Sequence, residues 1–194
     1  IFIPLGLVSG LLGSIFIFLS GQGMMSLLGF GKLLLYEGFI LNLIIGLGSR
    51  LIPVLTRKSN ALSPVEVNEL THRLFLVEAI VFNGSFFVEQ FVNQGLGLAI
   101  RSFTMSYVLY KNFRLFKPMS EKSKLGFGIS AASAAIPTSY FLILLFPIYR
   151  VHLIHLLYIS GIAALTLLVS IRVSLAHGGA SLELEKSSNS VLLL

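Results

Sequence analysis

The sequence contains no cysteine, no tryptophan and no aspartate, and only 11% of its 194 residues are charged. Without cysteine the chain forms no disulfide and offers no thiolate to a metal ion, and its redox compartment cannot be inferred. A soluble domain has roughly a quarter of its residues charged, so this composition excludes an ordinary soluble protein. Hydrophobic residues instead make up 55% of the chain.

The hydrophobic residues form long continuous runs, and lipid is the solvent that suits them. Backbone polar groups in lipid must be paired within the protein, which leaves helices or closed barrels as spanning structures. The runs lack the alternation of barrel strands, and a helical span needs roughly 20 apolar residues. The sequence therefore predicts an all-α polytopic membrane protein with a bundle of about six transmembrane helices.

The predicted spans follow one another with short connections. They cover residues 2–20, 33–54, 74–92, 98–113, 126–146 and 151–171. Residues 1–176 then form one transmembrane domain, and residues 177–194 form a polar tail or linker. Glycines in the first span and small residues at 131–135 in the fifth predict close helix packing. Because the chain begins at Ile1 within an apolar run, we expect a fragment or partial reading frame.

The distribution of basic residues predicts the orientation in the membrane. Of the 14 Lys and Arg residues, 11 fall on one side of the predicted topology and three on the other. The three are Lys32, Arg101 and Arg150. By the positive-inside rule, both termini should face the cytoplasm. The net charge of +6 does not indicate nucleic acid, because the basic residues lie at helix ends and in loops.

Charged and titratable side chains inside the predicted spans form two layers. Each charge costs about 2.5–3.5 kcal/mol on insertion scales, so it requires a partner or a purpose. The outer layer contains Glu37, Glu89, Arg101, Arg150, His152 and His155. The inner layer contains Arg50, His72, Glu78, Arg172 and His177. The glutamates can form ion pairs with arginines or line a polar path across the membrane.

The histidines are the candidate metal ligands. His152 and His155 are three residues apart and share one helix face, where they can bind a metal ion or contact water and lipid head groups. His177 lies 22 residues beyond His155, roughly 33 Å along a continuous helix, so the two cannot ligate one metal ion. Imidazole suits haem iron, copper or zinc, and arginines such as Arg50 and Arg172 suit haem propionates or lipid phosphates. We find no phosphate loop, His-x-x-x-His pair or nucleophile triad, so no enzymatic reaction is assigned.

Two segments resemble the NnrS family of bacterial haem- and copper-containing membrane proteins. Residues 48–57 read GSRLIPVLTR, similar to that family's Gly-Gly-Arg-apolar-Ile-Pro-x-x-Thr-Arg run at a helix end. Residues 172–179 read RVSLAHGG and follow His155, similar to the family's His, Gly-rich helix and Arg-x-x-Leu-Gly-His pattern. The matching positions are Arg50, Pro53, Arg57, His155, Arg172 and His177.

The resemblance implies a protein of the bacterial inner membrane that binds haem b, and copper as a further metal, in the nitric oxide response or denitrification. It implies His155 and His177 as ligands, with His152 as a further metal ligand, and Arg50 and Arg172 as partners of the cofactor. Family members are longer, so we expect the missing part of such a protein or a second copy as partner. The alternatives are a transporter or channel subunit with a Glu/Arg path, and a purely structural membrane subunit.

Overall fold

The computed structural model describes residues 1–56, 69–113 and 124–178, and in these ranges every regular element is helical. We number the six long helices in chain order. They are α1 (Phe2–Gly21), α2 (Ser26–Leu55), α3 (Glu69–Phe91), α4 (Gln94–Asn112), α5 (Lys124–Leu145) and α6 (150–177). A single 3₁₀ turn, Pro147–Tyr149, precedes α6.

The predicted fold class is confirmed, since each predicted span overlaps one of the six helices. Among the described residues, all of the long helices except α4 are apolar enough along a full span to cross a membrane. The chain is therefore a multi-pass membrane protein. The orientation of its termini stays a prediction.

Most of the helices extend beyond their predicted bounds, and the second and sixth do so by the most residues. The second begins at Ser26 rather than at residue 33, because its glycine-rich start is less apolar but packs tightly against α1. The sixth continues to His177 rather than ending at residue 171. Between α1 and α2 the chain turns at Gly23, whose φ of +104° lies in the left-handed region that glycine adopts without a steric penalty.

The structure divides into two compact units, Ile1–Ser49 with Pro64–Val108, and Arg50–Ser63 with Leu109–Leu194. In the first unit, α1 and α2 approach each other through glycines, as the sequence predicted. A Cβ on Gly13 would lie 2.8 Å from the carbonyl oxygen of Gly31, which is too close for any side chain. The contact between these two backbones explains why the start of α2 is helical without being strongly apolar.

In the second unit, α5 packs against α6 through small residues. A Cβ on Gly161 would lie 2.9 Å from the Cγ1 atom of Ile136, and one on Gly128 would lie 3.2 Å from Leu168. The buried face of α5 includes Ala132 and Ser133, which belong to the predicted small-residue stretch. The burial of Ala132 and Ser133 agrees with the close packing that this stretch predicted.

Two of the helices contain a π-helical segment, in which the backbone bonds are one residue wider than in an α-helix. One segment, Leu33–Gly38, lies within α2 and carries Glu37. The other, Leu156–Ala163, lies within α6 and begins directly after His155. Such segments are rare and frequently occur at functional sites, so both positions are relevant to the site.

Candidate functional site

Arg101 lies at the centre of a buried ionic cluster in the first unit. Its Nη1 atom donates to Oε2 of Glu37 at 2.9 Å, and its Nη2 atom lies 2.7 Å from Oε2 of Glu89. The side chain of Arg101 is fully inaccessible to solvent, and those of the two glutamates are 5% and 3% exposed. Removing one partner of a buried ion pair is strongly destabilising, because it leaves an uncompensated charge away from water.

Two further residues of α3 complete the surroundings of the guanidinium. Its carbon atom Cζ lies 3.9 Å from the ring centroid of Phe86, a cation–π contact. The Nε atom of Arg101 donates to the hydroxyl oxygen of Ser85 at 3.3 Å, and that hydroxyl donates to the carbonyl of Phe82 at 2.6 Å. The planar guanidinium thus contacts a carboxylate at each of its two terminal nitrogens and an aromatic ring at its face.

Three helices supply this cluster, and each does so through its local sequence pattern. On α4 the buried residues recur at helical spacing, with Arg101 and Ser102 followed by Met105, while Phe103 and Tyr107 are exposed. The face of α4 that carries Arg101 and Ser102 therefore contacts protein, and the face that carries Phe103 and Tyr107 points outward. Glu37 comes from the π segment of α2, and Glu89 from the last turns of α3.

The sequence left ion pairing and a polar path as alternatives for these residues. For Glu37, Glu89 and Arg101 the structure shows ion pairs. The remaining intramembrane glutamate, Glu78, is also buried on α3. The pairs bring together three residues that the sequence had placed in one outer layer.

A second polar group in the same unit was not anticipated from the sequence. The Nδ2 atom of Asn42 donates to Oδ1 of Asn83 at 2.8 Å, and Nδ2 of Asn83 donates back to Oδ1 of Asn42 at 3.1 Å. Ser9 of α1 donates to the same Oδ1 of Asn83 at 3.3 Å. The remaining amide hydrogens bond backbone carbonyls of their own helices, at Gly38 and Ala79. The only sequence signal for this amide pair was the presence of two asparagines inside apolar spans.

In the second unit, His155 lies on the exposed side of α6. Its Nδ1 atom is 2.6 Å from the carbonyl oxygen of Val151, one turn earlier. A carbonyl can only accept a hydrogen bond, so Nδ1 carries the proton, and in the neutral ring Nε2 presents its lone pair. A backbone bond of this kind fixes the tautomer and ring orientation of many metal-binding histidines.

His177, at the other end of the same helix, repeats this arrangement. Its Nδ1 atom is 2.9 Å from the carbonyl oxygen of Val173, and the residue is exposed. The helix is continuous from residue 150 to residue 177, so the structure does not bring His155 and His177 together. Each ring is fixed by its own helix and presents one nitrogen outward.

The other predicted site residues are distributed over the chain. His152 is exposed, on the same side of α6 as His155. Arg172 is buried at 8% exposure, and Arg50, near the end of α2, is exposed. Arg57 lies outside the described residues, as does the predicted tail beyond residue 178, and the side chain of His72 is likewise not described. Across the described ranges, no three His or Glu side chains converge closely enough to hold a metal ion.

Comparison with known proteins identifies the family. The model of the NnrS protein family matches residues 1–194, which is the whole of the chain. No curated protein and no solved structure matches the sequence. The resemblance carried by residues 48–57 and 172–179 is thus part of a match that includes both units and all six helices. The chain belongs to the NnrS family.

Proposed function

We propose that this membrane protein binds haem b, with copper as a further candidate metal, and acts in the nitric oxide response or denitrification in the bacterial inner membrane. The observation that carries the proposal is the hydrogen bonding of two imidazole rings, which determines which ring nitrogen is left to bind a metal. His155 and His177 each donate through Nδ1 to a backbone carbonyl, which leaves Nε2 to bind iron or copper. Membership of the NnrS family supports the choice of cofactor and role.

The two histidines would serve two separate sites. They lie 22 residues apart on one helix, a distance of roughly 30 Å, which no single metal ion bridges. Iron in a b-type haem takes one or two axial ligands from protein, so each site needs only one imidazole from this chain. Haem would supply redox and gas-binding chemistry, and the chain would supply the ligand, its orientation and a low-dielectric surrounding.

Arginines are the natural partners of haem propionates. Arg50 is exposed at one end of α2, and Arg172 is five residues before His177 on α6. Arg172 would serve the His177 site because both residues lie in the last turns of α6, with the buried Arg172 and the exposed His177 about 140° apart around the helix axis. His152 would contribute to the His155 site, since it lies three residues away on the same exposed side.

The test is a reduced-minus-oxidised absorption spectrum of the detergent-purified chain, with a pyridine haemochrome assay of the same sample. We expect b-type haem bands in the wild-type chain and their loss in the His155→Ala/His177→Ala double variant. The matched control is His72→Ala, because His72 is the one histidine outside the proposed set. Full haem content in the double variant, in a folded protein, would overturn the proposal.

A metal analysis separates copper from haem. Copper that remains bound after haem extraction and is lost in His152→Ala/His155→Ala would assign copper to that pair. A protein that is colourless and metal-free, although folded, would instead favour a structural role in the membrane.

A further inference from the structure

We propose that α4 crosses the membrane only as a partner of α2 and α3, and that Glu37 and Glu89 hold it there through Arg101. The starting observation is that α4 is the one long helix, among the described residues, that is not apolar enough to qualify as a span by itself. It nevertheless contacts α2 and α3 through the ion pairs of Arg101, and Arg101 and Ser102 are fully buried.

The charge of Arg101 is the main obstacle to independent insertion. Arginines near helix ends place the guanidinium in the polar head-group region, but Arg101 is the eighth residue of α4 and is completely buried. Its terminal nitrogens lie on two carboxylates instead. Protein carboxylates therefore take the place that water or lipid phosphates take for a snorkelling arginine.

The two carboxylates reach Arg101 in different ways. Glu89 belongs to the helix directly before α4, and the two helices form a tight hairpin. The backbone of Glu89 packs against Gly97, and the side chain of Asn93 accepts a hydrogen bond from the backbone nitrogen of Leu96 at 2.9 Å. Glu37 comes from α2, 64 residues before Arg101.

Both carboxylates precede Arg101 in the chain and are synthesised before it. Formation of the hairpin can therefore bring Arg101 next to Glu89, at a stage when α2 and its Glu37 are already present. Without the carboxylates, an unneutralised arginine would have to enter lipid. We infer that neutralising both glutamates prevents α4 from crossing, and that removing the arginine as well restores crossing.

The experiment uses the full chain, whose lack of cysteine allows single-cysteine reporters. Val92→Cys reports on the turn before α4, where Val92 is exposed, and Lys124→Cys reports on the exposed first residue of α5, after α4. A membrane-impermeant maleimide is applied to intact cells and to inverted vesicles. In the otherwise unchanged chain the two reporters should label from opposite sides, and in the Glu37→Gln/Glu89→Gln background they should label from the same side.

The matched control is Glu78→Gln, which neutralises another buried glutamate of α3 and should leave the two reporters on opposite sides. Opposite-side labelling in Glu37→Gln/Glu89→Gln would overturn the proposal. If that variant is degraded, the triple variant Glu37→Gln/Glu89→Gln/Arg101→Leu provides the test in its place. Accumulation of the triple variant with opposite-side labelling supports the proposal, and its degradation contradicts it.

Discussion

Arg101 on α4 and Glu37 on α2 are 64 residues apart in the sequence, and their side chains meet at 2.9 Å in a part of the structure that excludes solvent. The pair joins helices that are not neighbours in the chain. Glu89 completes the cluster from α3, so one guanidinium links three helices of the first unit. Such a link explains how charged residues persist in a chain that is otherwise suited to lipid.

Replacing Arg101 by alanine should destabilise the folded protein strongly. The change leaves two carboxylates buried without their guanidinium, and removing one partner of a buried ion pair costs about 3–5 kcal/mol. The measurement is reversible unfolding in mixed micelles, followed by circular dichroism. Arg73→Ala is the control, because Arg73 lies on the exposed side of α3 and should cost much less. Equal stability of the two variants would contradict the role given to Arg101.

The Asn42–Asn83 pair should show a measurable pairwise coupling. Each amide donates to the other, at 2.8 and 3.1 Å. Double-mutant cycles inside membrane proteins give about 0.6 kcal/mol on average and up to about 1.7 kcal/mol for a hydrogen-bonded pair. We expect a coupling in this range from Asn42→Ala, Asn83→Ala and the double variant. A coupling of zero would show that the reciprocal pair does not stabilise the fold.

Gly13→Ala should weaken the contact between α1 and α2. An alanine methyl group there would lie 2.7 Å from the backbone nitrogen of Leu35, so the helices must separate. The matched control is Gly84→Ala on α3, where a Cβ meets no atom within 4 Å. Because alanine favours a helix over glycine by about 1 kcal/mol, Gly84→Ala should be neutral or stabilising. The measurement is the thermal unfolding temperature of both variants in detergent. Equal unfolding temperatures would show that the glycines do not set the distance at which the helices pack.

Single histidine variants should each remove part of the haem. His155 and His177 are too far apart on α6 to share one iron, so His155→Ala should abolish one site and leave the His177 site intact. The pyridine haemochrome assay should then give about half the wild-type haem per chain, a fraction that follows from one axial histidine per site. His177→Ala should give the same fraction with the other site retained. Complete haem loss in one variant would instead assign all of the haem to that residue.

Both termini should face the cytoplasm. The expectation follows from the excess of Lys and Arg on one side of the six spans. A fluorescent reporter active only in the cytoplasm, fused in turn to each end of the chain, should give signal from both. Signal from one end alone would require an odd number of membrane crossings, and α4 is the span whose absence would produce it.

The two clearest agreements between sequence and structure are the helix positions and the location of the intramembrane charges. The predicted helix at residues 98–113 overlaps α4 although the composition of α4 is only weakly apolar; Arg101 and Ser102 are buried there, while Phe103 and Tyr107 are exposed. The start of α2 at Ser26 was missed because hydropathy measures how well a residue suits lipid. The glycines at this start contact another helix instead, and hydropathy does not detect that contact. The π segment that carries Glu37 has no recognisable sequence signal.

The sequence by itself determined that this protein lies in a membrane, that it spans it with helices, and that a few charged residues lie within those spans. Each of these properties follows from consecutive residues, because transfer of a segment into lipid depends on its own composition. The tertiary structure alone decided that Arg101 pairs with Glu37 and Glu89, that Asn42 bonds Asn83, and that His155 and His177 face outward. Those relationships depend on how the packed helices are rotated and aligned along one another. That arrangement is determined jointly by residues that are far apart in the chain.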